Sequence, residues 1–172
     1  IPSTPRDAYG LLLSACKETN PVMFLIPKAL MRSRGTELIP GEPDEKTLHE
    51  MIDAPLGDRS KWKPRWPKLE KYNVEIGKAR HVQEGSRATV VSYGRLMPIV
   101  EEIARRLQVE QGIDYDVFDL RTIYPYDWAA IKASVEKTGR VLFVNEDTEI
   151  SNFGEHLLRR TCDELFYSLK VR

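Results

Sequence analysis

Three stretches of this 172-residue chain carry side chains that could do chemistry. The first is Asn145 to His156, where Glu146, Asp147 and Glu149 crowd ahead of Ser151, Asn152, Phe153 and Gly154. Clustered carboxylates can hold a hard cation or meet a basic partner. A solvated acidic loop, with Ser151 or Asn152 capping a following helix, explains the same residues without chemistry, and we favour it. The second stretch, Asp58 to Pro67, interleaves Arg59, Lys61, Lys63 and Arg65 with Trp62 and Trp66. Single-strand nucleic-acid binders use such pairs for stacking and phosphate contact. One short instance in a neutral chain argues instead for an arm whose Trp side chains anchor on a neighbouring domain or subunit. The third group is scattered. Cys16 and Cys162 are too few for a disulfide framework and too far apart for a zinc motif, so each is expected to be a small buried thiol on an amphipathic helix in a reducing compartment. His49, His81 and His156 form no HxxxH or HxH pair. No GxGxxG, GxxxxGK[ST] or GxSxG motif occurs, which lowers the odds of an ordinary NAD, ATP or hydrolase domain.

The elements that must position these residues are legible from period and punctuation. Thr4-Pro5-Arg6-Asp7 predicts a helix start, with Thr4 as N-cap and Pro5 at the first helical position. Ala8, Leu11, Leu12, Ala15 and Cys16 then form one expected buried stripe. After Asn20-Pro21, the run Val22 to Ile26 has the pattern of a buried parallel strand. One helix and one strand make no core, so residues 1–34 are expected to be the end of a domain whose body lies elsewhere. Residues 35–72 are rich in proline, glycine and charge and predict a linker or arm, with a short helix from Asp44 to Met51.

Residues 73–172 then repeat strand and helix. Strands are predicted over Val74–His81, Ala88–Tyr93, Tyr115–Leu120 and Val141–Val144, with another beginning at Leu169-Lys170-Val171. One helix face is Leu96, Val100, Ile103 and Leu107, with Pro98 in the first turn. A second helix is capped by Asp127, carries Trp128, Ile131 and Val135, and ends at Gly139. A third carries Leu157, Leu158, Cys162, Leu165 and Phe166. Short loops between alternating elements predict an α/β domain, three-layer and doubly wound, with a mostly parallel sheet.

Composition sets outer bounds. Hydrophobic residues are 41% and charged residues 30%, the balance of a globular chain. Lys plus Arg and Asp plus Glu each number 26, so no cation excess supports a dominant nucleic-acid or anionic-membrane surface. No apolar run is long enough to span a bilayer, and no signal-peptide pattern is visible.

Ordered stretches over nearly the whole chain resemble a known family. They are Pro2 to Leu12, Asn20 to Lys28, Ile76-Gly77-Lys78-Ala79, Gly85-Ser86 to Gly94, Asp119-Leu120-Arg121-Thr122-Ile123-Tyr124-Pro125, Lys137-Thr138-Gly139-Arg140 and Phe153-Gly154-Glu155. In these the chain is similar to the β subunit, or β half, of the thiamine-diphosphate-dependent E1 component of 2-oxo acid dehydrogenase complexes. The resemblance implies that residues 1–34 end a pyrimidine-binding domain and that 73–172 form a transketolase-type C-terminal domain, cut before its end. It implies oxidative decarboxylation of a 2-oxo acid, with acyl transfer to a lipoyl-bearing E2 acyltransferase. Thiamine diphosphate and Mg2+ would serve the full enzyme, and this chain alone would hold neither. Implied partners are the E1 α part, a second β copy and E2, with no nucleic acid and no membrane, in bacterial cytoplasm or mitochondrial matrix.

On this resemblance no residue of the chain is catalytic or cofactor-binding. A structural monovalent cation, potassium in many members, would draw on the Ala15 carbonyl, Glu18 and Asn20, with Glu standing where the family has Asp. Two further departures are the long arm over 36–70 and Asn145-Glu146-Asp147-Thr148 in place of His-Glu-Ala-Pro. They suggest a distinct subfamily, such as a single-chain α–β fusion. Two rival readings stand beside this one: a transketolase-like thiamine enzyme of ketol transfer, and a non-catalytic interaction module.

Overall fold

The structure is a computed structural model and describes residues 1–35 and 37–170. Helix α1 spans Pro5–Ala15, and Thr4 Oγ1 accepts the Asp7 N–H at 3.0 Å, as the capping signal requires. Its packing differs from the expected stripe. Asp7, Gly10 and Leu11 are buried, whereas Leu12 and Cys16 are exposed. The cause is the neighbour that the helix meets. A Cβ at Gly10 would stand 2.6 Å from Val74 Cγ2, so the bare glycine face admits the passing chain. Val74 N–H donates to Gly10 O at 3.2 Å, and Ser14 Oγ donates to Val74 O at 2.6 Å.

Val22 to Ile26 is not a strand. It adopts no regular secondary structure, and Val22, Met23, Leu25 and Ile26 are exposed, Met23 at 84%. Its apolar run has the right composition, but none of the described strands lies beside it to accept its backbone. The arm carries α2, Glu45–Ile52, with Asp44 Oδ1 capping Thr47 N–H at 3.0 Å. The chain then doubles back. Arg65 N–H donates to Met51 O at 2.8 Å, Glu70 N–H to Pro40 O at 2.9 Å, and Tyr9 Oη to Glu70 O at 3.0 Å.

The first strand is shorter and later than predicted. β1 covers Arg80–Gln83, because the chain turns at Gly77 (φ +88°), whose N–H donates to Thr122 Oγ1 at 3.1 Å. β2 (Thr89–Ser92), β3 (Asp116–Asp119) and β4 (Val141–Val144) fall inside their predicted runs. The sheet order is β1-β3-β2-β4, with β2 parallel to both β3 and β4 and β1 antiparallel to β3. Ser92 is level with Asp119 and Val144, so these three residues mark one carboxyl edge.

Alternation along β2 divides the core. Val90 joins Met97, Ala104 and Val117 under α3 (Met97–Gln111). Val91 joins Leu120, Ile131, Val135, Leu157 and Leu165 under α4 (Trp128–Thr138) and α5 (Phe153–Leu165). This is the expected three-layer arrangement, with an antiparallel edge strand added. On α3, Ile103 is exposed and Ala104 takes the buried place. On α5 the buried face is Gly154, Leu157, Thr161 and Leu165, while Leu158, Cys162 and Phe166 are exposed. Both cysteines therefore face solvent, against the buried-thiol expectation. Leu169 and Lys170 form no strand, and Val171 lies outside the described residues. Lys170 N–H instead donates to Gly139 O at 2.8 Å.

Candidate functional site

The two ends of β3 hold two polar hubs. At the carboxyl edge, Asp119 is 0% exposed, and burial pushes its carboxyl above the usual range. Ser3 Oγ donates to its Oδ2, Arg121 N–H donates to Oδ1 at 3.1 Å, and Arg80 Nη2 lies 3.6 Å from Oδ2. Asp7, also buried, receives Arg121 Nη1 at 3.1 Å and has Arg80 Nε at 3.6 Å. Arg80 reaches further to Glu101 on α3 at 3.2 Å. Arg121 sits at φ +56°, with its guanidinium turned onto Lys78 O at 3.0 and 3.2 Å. Three carboxylates and two guanidiniums thus bind the opening segment, the entry to β1, the exit of β3 and α3 into one lattice. A cavity of ≈ 530 Å³ opens beside it, lined by Pro5, Ile26, Met31, Arg80, Glu101 and Arg105 among others.

At the other end, Asp116 is 1% exposed. Desolvation pushes its carboxyl up, but bonds from Lys137, Ser134, His81 and Gly85 N–H outweigh it and hold it below the usual range. Lys137 Nζ and His81 Nε2 each lie 2.8 Å away, and Gly85 N–H donates at 3.2 Å. Thr89 Oγ1 extends the knot to Ser134 at 2.7 Å and Thr138 at 2.9 Å. Ser134 and His81 both bind Asp116, so Asp116 is the hub and no serine–histidine relay is aligned. Both hubs join elements, and in the second the Lys137 and His81 side chains stay 44% and 45% exposed while they hold Asp116.

The acidic loop is a cap and a brace. Asn152 Oδ1 accepts Glu155 N–H at 2.9 Å, and Glu155 returns to Ser151 N–H at 2.6 Å. Glu146 pairs with Arg95, and Asp147 accepts Thr148 N–H at 2.7 Å. Among the described residues, no group of three or more His, Cys, Asp or Glu side chains could hold a metal ion. Of the two caps that the solvated-loop reading offered, Asn152 is the one that accepts the helix N–H. Of the residues proposed for a monovalent cation, Ala15 ends α1 and its carbonyl accepts Glu18 N–H at 3.3 Å; Glu18 and Asn20 are exposed beyond it.

Sequence reasoning missed an aromatic cluster at the carboxyl edge. Tyr126 packs edge-on against Phe153 (5.3 Å), Trp128 (6.4 Å) and His156 (5.7 Å), and Tyr93 meets Phe153 at 5.9 Å. Arg160 lies 4.5 Å over the Trp128 ring and donates to Tyr126 Oη at 2.8 Å. Burial and Asp147 push the Tyr93 hydroxyl upward. The available signal was positional: Tyr93 follows β2, Tyr126 follows β3 and Phe153 opens α5, all on the edge where open α/β sheets bind ligands.

A four-stranded mixed sheet with helices on both sides, and a polar lattice at its carboxyl edge, defines an α/β domain of the doubly wound class. Residues 77–172 match the family described as "Transketolase, C-terminal domain", and the chain belongs to that family. It is 31% identical over 171 residues to the mitochondrial 2-oxoisovalerate dehydrogenase subunit beta of Dictyostelium discoideum, covering 99% of this chain and 38% of that protein. It is 32% identical over 170 residues to the pyruvate dehydrogenase E1 component subunit beta of Acholeplasma laidlawii, covering 99% and 43%. Among solved structures it resembles "Split gene transketolase, inactive beta4 tetramer", with a TM-score of 0.50 and 25% identity over 59% of this chain and 34% of that one. The chain thus spans well under half the length of these relatives. No helix among the described residues is long and apolar enough to cross a membrane.

Proposed function

We propose that this chain is the C-terminal part of the β half of a thiamine-diphosphate-dependent E1 enzyme. That enzyme decarboxylates a 2-oxo acid and passes the acyl group to the lipoyl arm of an E2 acyltransferase. The observation carrying this reading is collinear similarity, over 99% of the chain, to the β subunits of both pyruvate and 2-oxoisovalerate dehydrogenases. In this reading residues 1–34 end a pyrimidine-binding domain, 35–72 are an arm and 73–172 are the transketolase-type domain. The partners are the α part, a second β copy and E2, and the setting is bacterial cytoplasm or mitochondrial matrix.

The side chains present do not fit a magnesium–diphosphate group. Asp7 and Asp119 are committed to Arg80 and Arg121, and no metal-holding cluster occurs among the described residues. In this reading the chain contributes scaffold and subunit contact, and calorimetry should detect no thiamine diphosphate binding to it alone. Ala15, the last residue of α1, and Glu18 and Asn20 beyond it offer hard oxygens suited to a share of a potassium shell. Thermal melts of the assembled enzyme in KCl against choline chloride test that share.

The activity is tested on the full-length gene product, assembled with its α partner and supplied with thiamine diphosphate and Mg2+. It should acylate lipoamide from pyruvate or 2-oxoisovalerate. Ketol transfer between sugar phosphates, without lipoamide acylation, would overturn the reading in favour of a transketolase-like enzyme. The likeness to a split-gene transketolase supports that second reading.

A further inference from the structure

The strip Arg59 to Lys71 carries six cations (Arg59, Lys61, Lys63, Arg65, Lys68, Lys71) and one acid, Glu70. All six are exposed. Among the described residues none of the six makes an ion pair, although acids lie close by in sequence. The nearest acids before the strip take other partners: Asp58 accepts Ser60 N–H at 2.9 Å and Ser60 Oγ at 3.1 Å, and Asp53 binds His49 at 2.6 Å and lies 3.9 Å from Arg34. Two large apolar side chains accompany the charge without cover, Leu56 at 98% exposed and Trp66 at 75%. The strip is also fixed in place, by Arg65 N–H on Met51 O and Glu70 N–H on Pro40 O, and Pro64 and Pro67 restrict the backbone on either side of Trp66. A preset backbone lowers the ordering cost of binding. Unpaired cations beside exposed apolar anchors are the composition of half an interface.

We propose that residues 59–71, with Leu56, form a docking strip for an acidic protein surface that offers an apolar site to Trp66. Charge complementarity identifies the occupant. A polyanion of uniform charge, such as nucleic acid, would also meet the exposed Glu50 and Asp53 of the α2 end, which the Arg65–Met51 bond holds alongside the strip. A protein surface can place a cation or a neutral group there. The neutral total of 26 cations and 26 acids adds no long-range pull toward phosphates.

The test uses the full 172-residue chain and a fluorescent peptide of Asp, Glu and Leu, with binding followed by anisotropy and by Trp emission. We expect saturable binding at low salt that weakens as salt rises. The charge reversal Lys61→Glu/Lys63→Glu/Arg65→Glu should weaken it by about tenfold or more, and Trp66→Ala by a smaller factor. The reversal of Lys132, a cation on α4 away from the strip, should leave it unchanged. Circular dichroism melts check that the variants fold, and because Trp66→Ala and the charge reversal act separately, one misfolded variant leaves the other decisive. Absence of peptide binding at low salt, or binding indifferent to both variants, would overturn the proposal. So would tighter binding of oligothymidylate or of phosphatidylserine vesicles, lost in the same charge reversal.

Discussion

Arg80 stands between Asp7 and Asp119, and both carboxylates are shut away from water. Removing a partner from a buried pair leaves a charge without compensation, which costs more than the pair contributed. Arg80→Met should therefore lower stability by about 3 kcal/mol, the low end of that range because Arg121 still holds Asp7, and urea midpoints measure it. The two ends of β3 also respond to acid with opposite sign. Asp116 is held below its ordinary 3.8, so as pH falls the unfolded chain takes up its proton first. Its contribution is present above that pH and is lost as pH drops through the lower native value. Asp119 is pushed up, so protonation relieves rather than weakens the native state there. Asp116→Asn should flatten the stability profile below about pH 4, seen in urea melts across acid pH, while Asp119→Asn should not. Neither hub was legible beforehand. Asp7 and Arg121 are 114 positions apart, and no local period reports a contact at that distance.

Elements were read well where their signals are local. The expected caps at Thr4, Asp127 and Asn152 accept N–H groups three residues on, so the cue and its partner share one turn. β4 was found because Val141 to Val144 is an unbroken apolar run, and β2 and β3 because their Val90-Val91 and Val117-Phe118 pairs lie in fully buried four-residue stretches. The run Val22 to Ile26 shows the limit, since composition makes a strand available and only a neighbour makes it one. The stripe on α1 failed for a related reason: Gly10, not Leu12, meets the rest of the chain. The same contact gives a prediction. Gly10→Ala drives a methyl to 2.6 Å from Val74 and 2.8 Å from the Tyr72 ring, so the 72–74 segment must shift. Helix propensity alone favours the alanine by about 1 kcal/mol. We expect overpacking to win, with a net loss of about 1 kcal/mol in urea melts and faster amide exchange at Val74, whose N–H bonds to Gly10 O.

At the scale of the whole molecule, the surface is too large for a compact monomer. A chain of 19.8 kDa would expose about 8,600 Å² by the usual size scaling, and this one exposes 11588 Å². The excess is roughly 3,000 Å² on this chain alone, so an interface covering it would bury about 6,000 Å² over both faces, at the large end of obligate ones. It arises where the core does not reach. Met23, Ile26 and Met31 lie on the opening segment and Leu56 and Trp66 on the arm, while the βα layers close around Val91, Ile131 and Leu157. The proportions suit a scaffold that completes its surface against partners, and scattering can test them. A compact 172-residue domain has a radius of gyration of about 16 Å. The isolated chain should measure clearly above that. A monomer at the compact value would mean that the opening segment and the arm fold back onto the domain, leaving no interface to fill.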